Sequence, residues 1–425
     1  MDRNILKEIF FDHHQHWEAF KNKHGAKVRP IVIKEVEKFR DCGDIKKGFK
    51  LFVCEGCHDI RKVPYRCKGR FCTTCSVGES EEWSRLLTEE VLQVNHRHVI
   101  FTIDEGLREV FLLHRHLLKG LMDAASKLIT DFFQKKAKVT PGIISGLHTF
   151  GSRVNFNPHV HMLVTMGGLT EKGEWKQYDF LPFAMLRKQW QTVVLKLIRN
   201  GVSEEEKKII QPRLQKAFTN NGEGFYVYAP KQRGKVKEQL RYIGRYIRRP
   251  AIGMNRIEEY DGQNVTFKYR DKTDGKEKRE TVSVEEFISR LVRHIPNEQF
   301  KTIRHYGIYS RRSTTLSKKL LNIWQQNMRR WIVKVKKTLR RQTWRERIVA
   351  SGKKDPLVCP QCQCFYEYKG EVCQENGKLK IKVALCATTK SYFERVINHF
   401  SGIQTPQKRK EKEKNHKIKP VQETE

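Results

Sequence analysis

Two short turns, Cys54-Glu-Gly-Cys57 and Cys72-Thr-Thr-Cys75, constrain this chain more than any other feature. Thiolates two residues apart can share one tetrahedral ion, and fourteen residues between the turns is close to the loop length of a four-thiolate zinc site. Cys54, Cys57, Cys72 and Cys75 are therefore expected to bind structural Zn²⁺, with Cys42 and Cys67 near enough in sequence to replace one of the four. Free buried thiols or a redox pair are the duller alternatives. The eleven cysteines are odd in number and fall in two clusters, a pattern that in a reducing compartment favours metal over disulfides. A closed four-cysteine site has no open position for chemistry. It stiffens a small domain that can present Arg61, Lys62, Arg66, Lys68 and Arg70 to phosphates.

The charge balance names the partner class. Lys and Arg total 84 against 48 Asp and Glu, a formal net charge of +36, and such an excess repels itself unless a polyanion neutralises it. The stretch 407–425 holds seven Lys or Arg and four Glu, so the remaining chain still carries 36 − 3 = +33. The body, not a tail, is basic, which points to DNA or RNA. There is no run of eighteen apolar residues, and the start, MDRNILKEIFFDHHQHW, lacks an apolar core and a small-residue cleavage site. The chain is expected to be soluble and intracellular.

At 425 residues the chain exceeds one typical core, and patterning suggests five regions. Residues 1–90 combine helical apolar spacing (Ile5, Ile9, Phe10, Trp17, Phe20) with the cysteine stretch, as a helical, zinc-binding, DNA-binding domain. Residues 91–310 mix strands and helices. HRHVIFTID reads as a buried strand, 107–136 as a long helix, and IISGLHTFGSRV with NPHVHMLVTMGG as a hairpin. A helix near 181–200 and the strand GFYVYAP precede the helix EQLRYIGRYIRR, which stops at Pro250. NVTFKYRDK and ETVSV form a second hairpin, and EEFISRLVRHI a last helix. This order lacks the βαβ rhythm of a parallel sheet, so the fold class is α+β, an antiparallel sheet with packed helices. Residues 311–350 read as a basic helical arm: 311–347 holds thirteen Lys or Arg, one acid (Glu346), and Trp324, Trp331 and Trp344. A short cysteine segment, 351–390, and a lysine-rich tail, 391–425, complete the chain.

Two further pairs carry chemistry. In the strand that begins Asn157-Pro158, His159 and His161 share one face while Val160, Met162 and Val164 share the other. Alone, this pattern is more often two ordinary histidines. Tyr242 and Tyr246 stand four apart on a helix, which sets both phenols on one side about 6 Å apart. Burial of an amphipathic face would explain them in isolation, but Arg241, Arg245, Arg248 and Arg249 on the same helix favour a phosphate backbone alongside. A phenol is a weak nucleophile at neutral pH and needs a metal to polarise the phosphorus it attacks. A phosphotyrosine ester would conserve the energy of the broken phosphodiester, so a free 3′-hydroxyl could reverse it without ATP. The chain has no P-loop-like glycine motif.

The order of RCKGRFCTTC, HVIFTID, LHTFGS, FNPHVHMLV, YIGRYIRRPAI, EFISRLVRHIP and IRHYGIY resembles the HUH endonuclease superfamily, and within it the two-tyrosine rolling-circle transposases of the insertion-sequence 91 type. The resemblance spans nearly the whole chain. It implies an HUH-type sheet, His159 and His161 as ligands of a catalytic Mg²⁺ or Mn²⁺, and Tyr242 and Tyr246 as the groups that form 5′-phosphotyrosine links to single-stranded DNA. It implies single-stranded or hairpin element ends and target DNA as partners. Such sites usually have a third protein ligand. His148 is the choice here, with Glu238 and Gln239 as rivals. Cys359-Pro-Gln-Cys362, Cys364, Cys373 and Cys386 lack a clean second Cys-x-x-Cys but leave room for a second zinc. The competing readings are a replication initiator with the same chemistry, a non-enzymatic zinc-dependent DNA-binding regulator, and a hydrolase using water as nucleophile.

Overall fold

A computed structural model describes residues 4–69, 71–92, 94–230, 238, 241, 244, 250–271, 273–310, 342–350, 352–375 and 378–384. They form two compact units, one from Met1–Arg40 and Lys68–Arg341, the other from Asp41–Cys67 and Gln342–Glu425. The stretch 1–90, expected as one N-terminal domain, contributes to both. No helix among the described residues is long and apolar enough to cross a membrane.

The fold is α+β, and the larger unit is organised by a five-stranded antiparallel sheet. Its strands are β3 (His96–Phe101), β4 (Gly142–Phe150), β5 (Phe156–Thr165), β8 (Val227–Tyr228) and β12 (Ile303–Gly307), in the order β12-β4-β5-β3-β8. β4 and β5 form the expected hairpin, closed where the Gly151 N–H donates to the Asn155 carbonyl at 3.0 Å. A Cβ at Gly151 would meet the Asn155 side chain at 2.3 Å, so a larger residue there would have to displace that side chain.

Strand alternation gives the sheet two different faces. Ile143, Leu147, Val99, Phe101, Val160, Met162 and Val164 point to one side and join the main core. Helix α6 (Leu117–Ala137) covers them with Leu118, Leu121, Met122, Ala125, Ile129 and Phe133, a spacing of three and four that keeps one stripe against the sheet. Helix α7 (Phe183–Asn200) adds Trp190, whose ring meets Phe101 at 4.9 Å. Burying each such side chain contributes about 1.5–3 kcal/mol, enough to fix which face looks inward. The expected single helix over 107–136 is instead α5 (Arg108–Leu113) and α6, because the backbone leaves the helical region at His114. Arg115, in the break, donates to the carbonyls of Arg293 at 3.0 Å and Ile295 at 3.2 Å.

The opposite face carries Ile144 and Leu163, which pack against Leu87 and Val91 at the end of helix α4 (Thr73–Glu90). One side of α4 is lined by small buried hydroxyl residues, Ser76, Ser80, Ser84 and Thr88. Ser80 and Thr88 return their hydroxyls to the carbonyls four residues back, whereas Ser84 donates to the Arg241 carbonyl at 2.7 Å. Glu238, Arg241 and Gly244 are helical, and Gly244 is buried against the same stretch of α4. Arg241 and Gly244 thus dock on the helix that covers the second face of the sheet.

The N-terminal helices α1 (Ile5–Phe11), α2 (His16–His24) and α3 (Pro30–Asp41) bury Phe10, Trp17, Phe20, Val36 and Phe39 together. They lie beside a three-stranded sheet of β9 (Ile257–Tyr260), β10 (Asn264–Arg270) and β11 (Glu277–Ser283), and the helix Val284–Val292. Tyr260 donates to Asp12 at 2.5 Å, and Lys23 reaches Glu285 at 2.7 Å. α8 (Glu204–Asn220) was not expected, and the predicted strand around 227 shortens to two residues.

The smaller unit is built on a four-stranded antiparallel sheet, β14-β13-β1-β2, from β1 (Gly48–Cys54), β2 (Ile60–Pro64), β13 (Tyr366–Glu375) and β14 (Lys378–Ala384). β1 pairs with β2 nearby in sequence and with β13 some three hundred residues on, Cys54 standing opposite Tyr366. Helix Trp344–Ala350 is what the described residues include of the expected basic arm; 311–341 and the tail lie outside them.

A Cβ on Gly244 would lie 2.9 Å from Ser84 Oγ and 3.1 Å from Leu87 Cδ2, whereas at Gly222 it would meet nothing within 4 Å. Gly244→Val is therefore expected to destabilise the protein by about 1–3 kcal/mol in urea unfolding, and Gly222→Ala by less than about 0.5 kcal/mol. Equal midpoints for the two would show that α4 and the segment at 244 are not in close contact.

Candidate active site

The site follows from the register of three strands. Partners across an antiparallel pair share a face, so Ile144–Leu163, Gly146–His161 and His148–His159 line up on the side of the sheet away from α6. β3 adds His98, opposite Leu163, to the same face. His148, His159 and His161 thereby converge: their ring centroids are 4.2–5.4 Å apart, and one nitrogen from each falls within 4.8 Å of the others.

Neighbouring groups orient two of the imidazoles. His159 Nδ1 lies 2.7 Å from the Asn157 carbonyl, which fixes Nδ1 as the protonated nitrogen and leaves Nε2 as an electron-pair donor. His161 Nδ1 lies 2.8 Å from His98 Nε2. If His98 accepts there, His161 also presents Nε2. His148 and His161 are buried and His159 is half-buried, so the cluster opens to solvent at His159.

Burial keeps His161 and His98 neutral. It pushes His161 well below the ordinary imidazole range, with the neighbouring His148, His159 and His98 adding to the effect, and pushes His98 down to about 4, helped by His159. Neutral imidazoles are the ligand form, and no carboxylate joins the three among the described residues. An ion held by three imidazole nitrogens would keep its full double charge, the condition for polarising a phosphate oxygen.

The structure brings His148 to His159 and His161. Glu238, the rival third ligand, is helical and exposed, and Gln239 lies outside the described residues. Tyr242, Tyr246, Arg245, Arg248, Arg249 and Arg70 also lie outside them. Their described neighbours Arg241 and Gly244 are joined to Ser84 and Leu87 of α4, and Leu87 packs with Ile144 and Leu163 on the histidine face. Arg241 and Arg66 are exposed. Arg61 is not free for phosphate: its guanidinium donates to the Pro356 carbonyl and lies over the Tyr366 ring at 4.9 Å.

The expected zinc quartet needs correction. Cys54 and Cys57 lie with Cys359 and Cys362 in the smaller unit, because the β1–β13 pairing carries the second knuckle to the first. Cys72 and Cys75 instead open α4 in the larger unit. Cys42 Sγ accepts from the Cys67 N–H at 3.4 Å.

Residues 142–317 match the family model described as "Putative transposase", and residues 12–103 match the model "Transposase zinc-binding domain". The chain is 30% identical over 323 residues to "Transposase for insertion sequence element IS801" of Pseudomonas savastanoi pv. phaseolicola, which spans 72% of this chain and 76% of that protein. This chain belongs to the insertion-sequence 91 family of transposases. It is also 26% identical over 291 residues to "Putative transposase y4qJ" of Sinorhizobium fredii (strain NBRC 101917 / NGR234), spanning 64% of this chain and 72% of that one. No solved structure matches the transposase. A transposase acts on DNA by cutting it, so the excess of +36 charges has its polyanion. The transposase model begins at the first residue of β4 and takes in all three histidines and the segment 238–244.

His98 was missed in the sequence, although His96-Arg-His98 is itself a His-x-His in a strand. As a positioning residue it should tune the cluster. His98→Ala is expected to weaken Mn²⁺ binding by calorimetry about 10- to 100-fold with little change in unfolding midpoint, and His98→Gln, which keeps a hydrogen-bonding group, to recover part of it. Unchanged Mn²⁺ affinity in His98→Ala would leave that ring a packing role only.

Proposed function

We propose that this transposase cuts and rejoins single-stranded DNA through 5′-phosphotyrosine intermediates during rolling-circle transposition of an insertion sequence. The observation that carries the reading is the convergence of His148, His159 and His161 on one sheet face, beside the helix on which Arg241 and Gly244 dock. The three rings suit one divalent ion. Mg²⁺ or Mn²⁺ would complete its shell with water and phosphate oxygens, although imidazoles alone would accept softer metals. Such an ion supplies Lewis acidity at the scissile phosphate.

The chain's own residues do the rest. The hydroxyl oxygen of Tyr242 or Tyr246 attacks phosphorus, the P–O3′ bond breaks, and the leaving 3′-oxygen takes up a proton. The ester formed links tyrosine to the 5′-phosphate. Attack by a 3′-hydroxyl reverses the step, releases the phenol and joins the strands, with no external energy source because the number of phosphoester bonds is unchanged. Two tyrosines allow one strand to be held while a second is cut. Arg241, Arg245, Arg248 and Arg249 neutralise the backbone beside them, and Arg66 and Arg70 extend the basic surface. The base-specific contacts that choose single-stranded or hairpin element ends would come from other side chains.

The test is incubation of the purified protein with labelled single-stranded element-end DNA and Mn²⁺, followed by denaturation. An SDS-resistant labelled protein band is expected, absent in Tyr242→Phe/Tyr246→Phe and reduced about 100-fold or more in His159→Ala/His161→Ala, the scale of losing a main electrostatic stabiliser. Nicked DNA with no adduct would mean that water is the nucleophile. An adduct surviving the double tyrosine substitution would place the nucleophile elsewhere.

A further inference from the structure

We infer that Cys54, Cys57, Cys359 and Cys362 together hold one zinc ion, so that the C-terminal cysteine segment is the second half of a zinc site whose first half lies near the N-terminus. The zinc-binding family match covers 12–103 and includes only two of the four.

The first ground is that the two turns repeat one another bond for bond. The Cys54 N–H donates to the Asp59 carbonyl at 2.9 Å and the Cys359 N–H to the Cys364 carbonyl at 2.8 Å, five residues on in both cases. The His58 N–H returns to the Cys54 carbonyl at 3.1 Å, and the Gln363 N–H to the Cys359 carbonyl at 3.0 Å. His58 and Gln363, each directly after the second cysteine of its turn, adopt left-handed backbone with φ of 60° and 61°. Two non-glycine residues share this uncommon conformation at matching positions. Each turn thus folds its two sulfurs toward one point.

The second ground is the sulfur geometry. Cys54 Sγ lies 3.3 Å from Cys362 Sγ, Cys57 Sγ 3.5 Å from Cys359 Sγ, and all four fall within 4.8 Å of one another. A disulfide needs about 2.05 Å, so neither pair is bonded. A tetrahedral ion with bonds of about 2.3 Å to sulfur sets its ligands about 3.8 Å apart, the spacing this cluster approximates. Cys54 and Cys359 are buried, shielding the centre from solvent on one side.

The turns are also tied to each other independently of the sulfurs. The Glu55 N–H donates to the Phe365 carbonyl at 3.1 Å. Gly56 fits this role: a Cβ there would lie 2.6 Å from Cys364 Sγ and 3.1 Å from Cys362 Sγ, inside the thiol cluster. Cys364 is exposed and stands outside the quartet. Binding the ion releases the thiol protons and couples the closure of a loop of some three hundred residues to the metal's affinity. The sheet β14-β13-β1-β2 would be pinned at the end where Cys54 faces Tyr366.

The experiment measures zinc per chain by mass spectrometry of the purified full-length protein. Cys54→Ser/Cys57→Ser, Cys359→Ser/Cys362→Ser and the quadruple variant are each expected to lose the same single equivalent, and Cys364→Ser none. A Cys359→Ser/Cys362→Ser protein that keeps the parent's zinc, or a quadruple variant that loses two equivalents, overturns the inference. Should the serine variants not fold, Cys362→His keeps a zinc ligand; after cobalt substitution its visible absorption should shift from that of the parent. An unshifted spectrum overturns the assignment, as would a parent chain two or four mass units lighter under non-reducing conditions than after reduction.

Discussion

The hydrogen-bonded pairing of β4 with β5 fixes nearly everything of interest in this transposase. Because side chains alternate along a strand, placing His148 opposite His159 decides at once that Val160, Met162 and Val164 face α6 and that His161 joins the two other rings. A slip of one residue would send the histidines into an apolar core, where neutral rings would lack partners, and would expose the valines. The dense packing of Phe101, Phe133 and Trp190 on the α6 side holds this register. The tight turn at Gly151 closes it. His98, supplied by β3, completes the arrangement through the same alternation.

Much of this was legible from the residues because it is local. The period-two run around His159 and His161 and the hairpin punctuation depend on neighbours in sequence. The antiparallel α+β class follows from them. Other features depend on partners distant in sequence. His98 reads as one more strand residue until β3 is paired with β5. α4 presents serines where an apolar stripe would be sought, and at Ser84 the small side chain lets Arg241 and Gly244 approach closely. α8 exposes Ile209 and Phe218, blurring its apolar face; the capping box of Ser203 and Glu206 was the signal that could have revealed it.

The cysteines teach the same lesson more sharply. Spacing identified the knuckle at Cys54 and Cys57 but paired it with the nearest other knuckle in sequence, at Cys72 and Cys75. The chain instead returns β13 to β1, and Cys359 and Cys362 arrive with it. Short loops cost less entropy to close, which makes the local pairing the natural guess, but the cost rises only with the logarithm of loop length. Sheet pairing across β1 and β13 readily offsets the difference. The small unit is thus assembled from two distant pieces of chain, each bringing half of a cysteine cluster.

The central claim is that His148, His159 and His161 hold one divalent ion at which DNA is cut. Anomalous diffraction from crystals grown with Mn²⁺ tests it most directly. A single manganese peak is expected within coordination distance of Nε2 of His159 and His161 and of one ring nitrogen of His148. A peak elsewhere, or a saturating Mn²⁺ concentration that leaves the three rings without one, would contradict it.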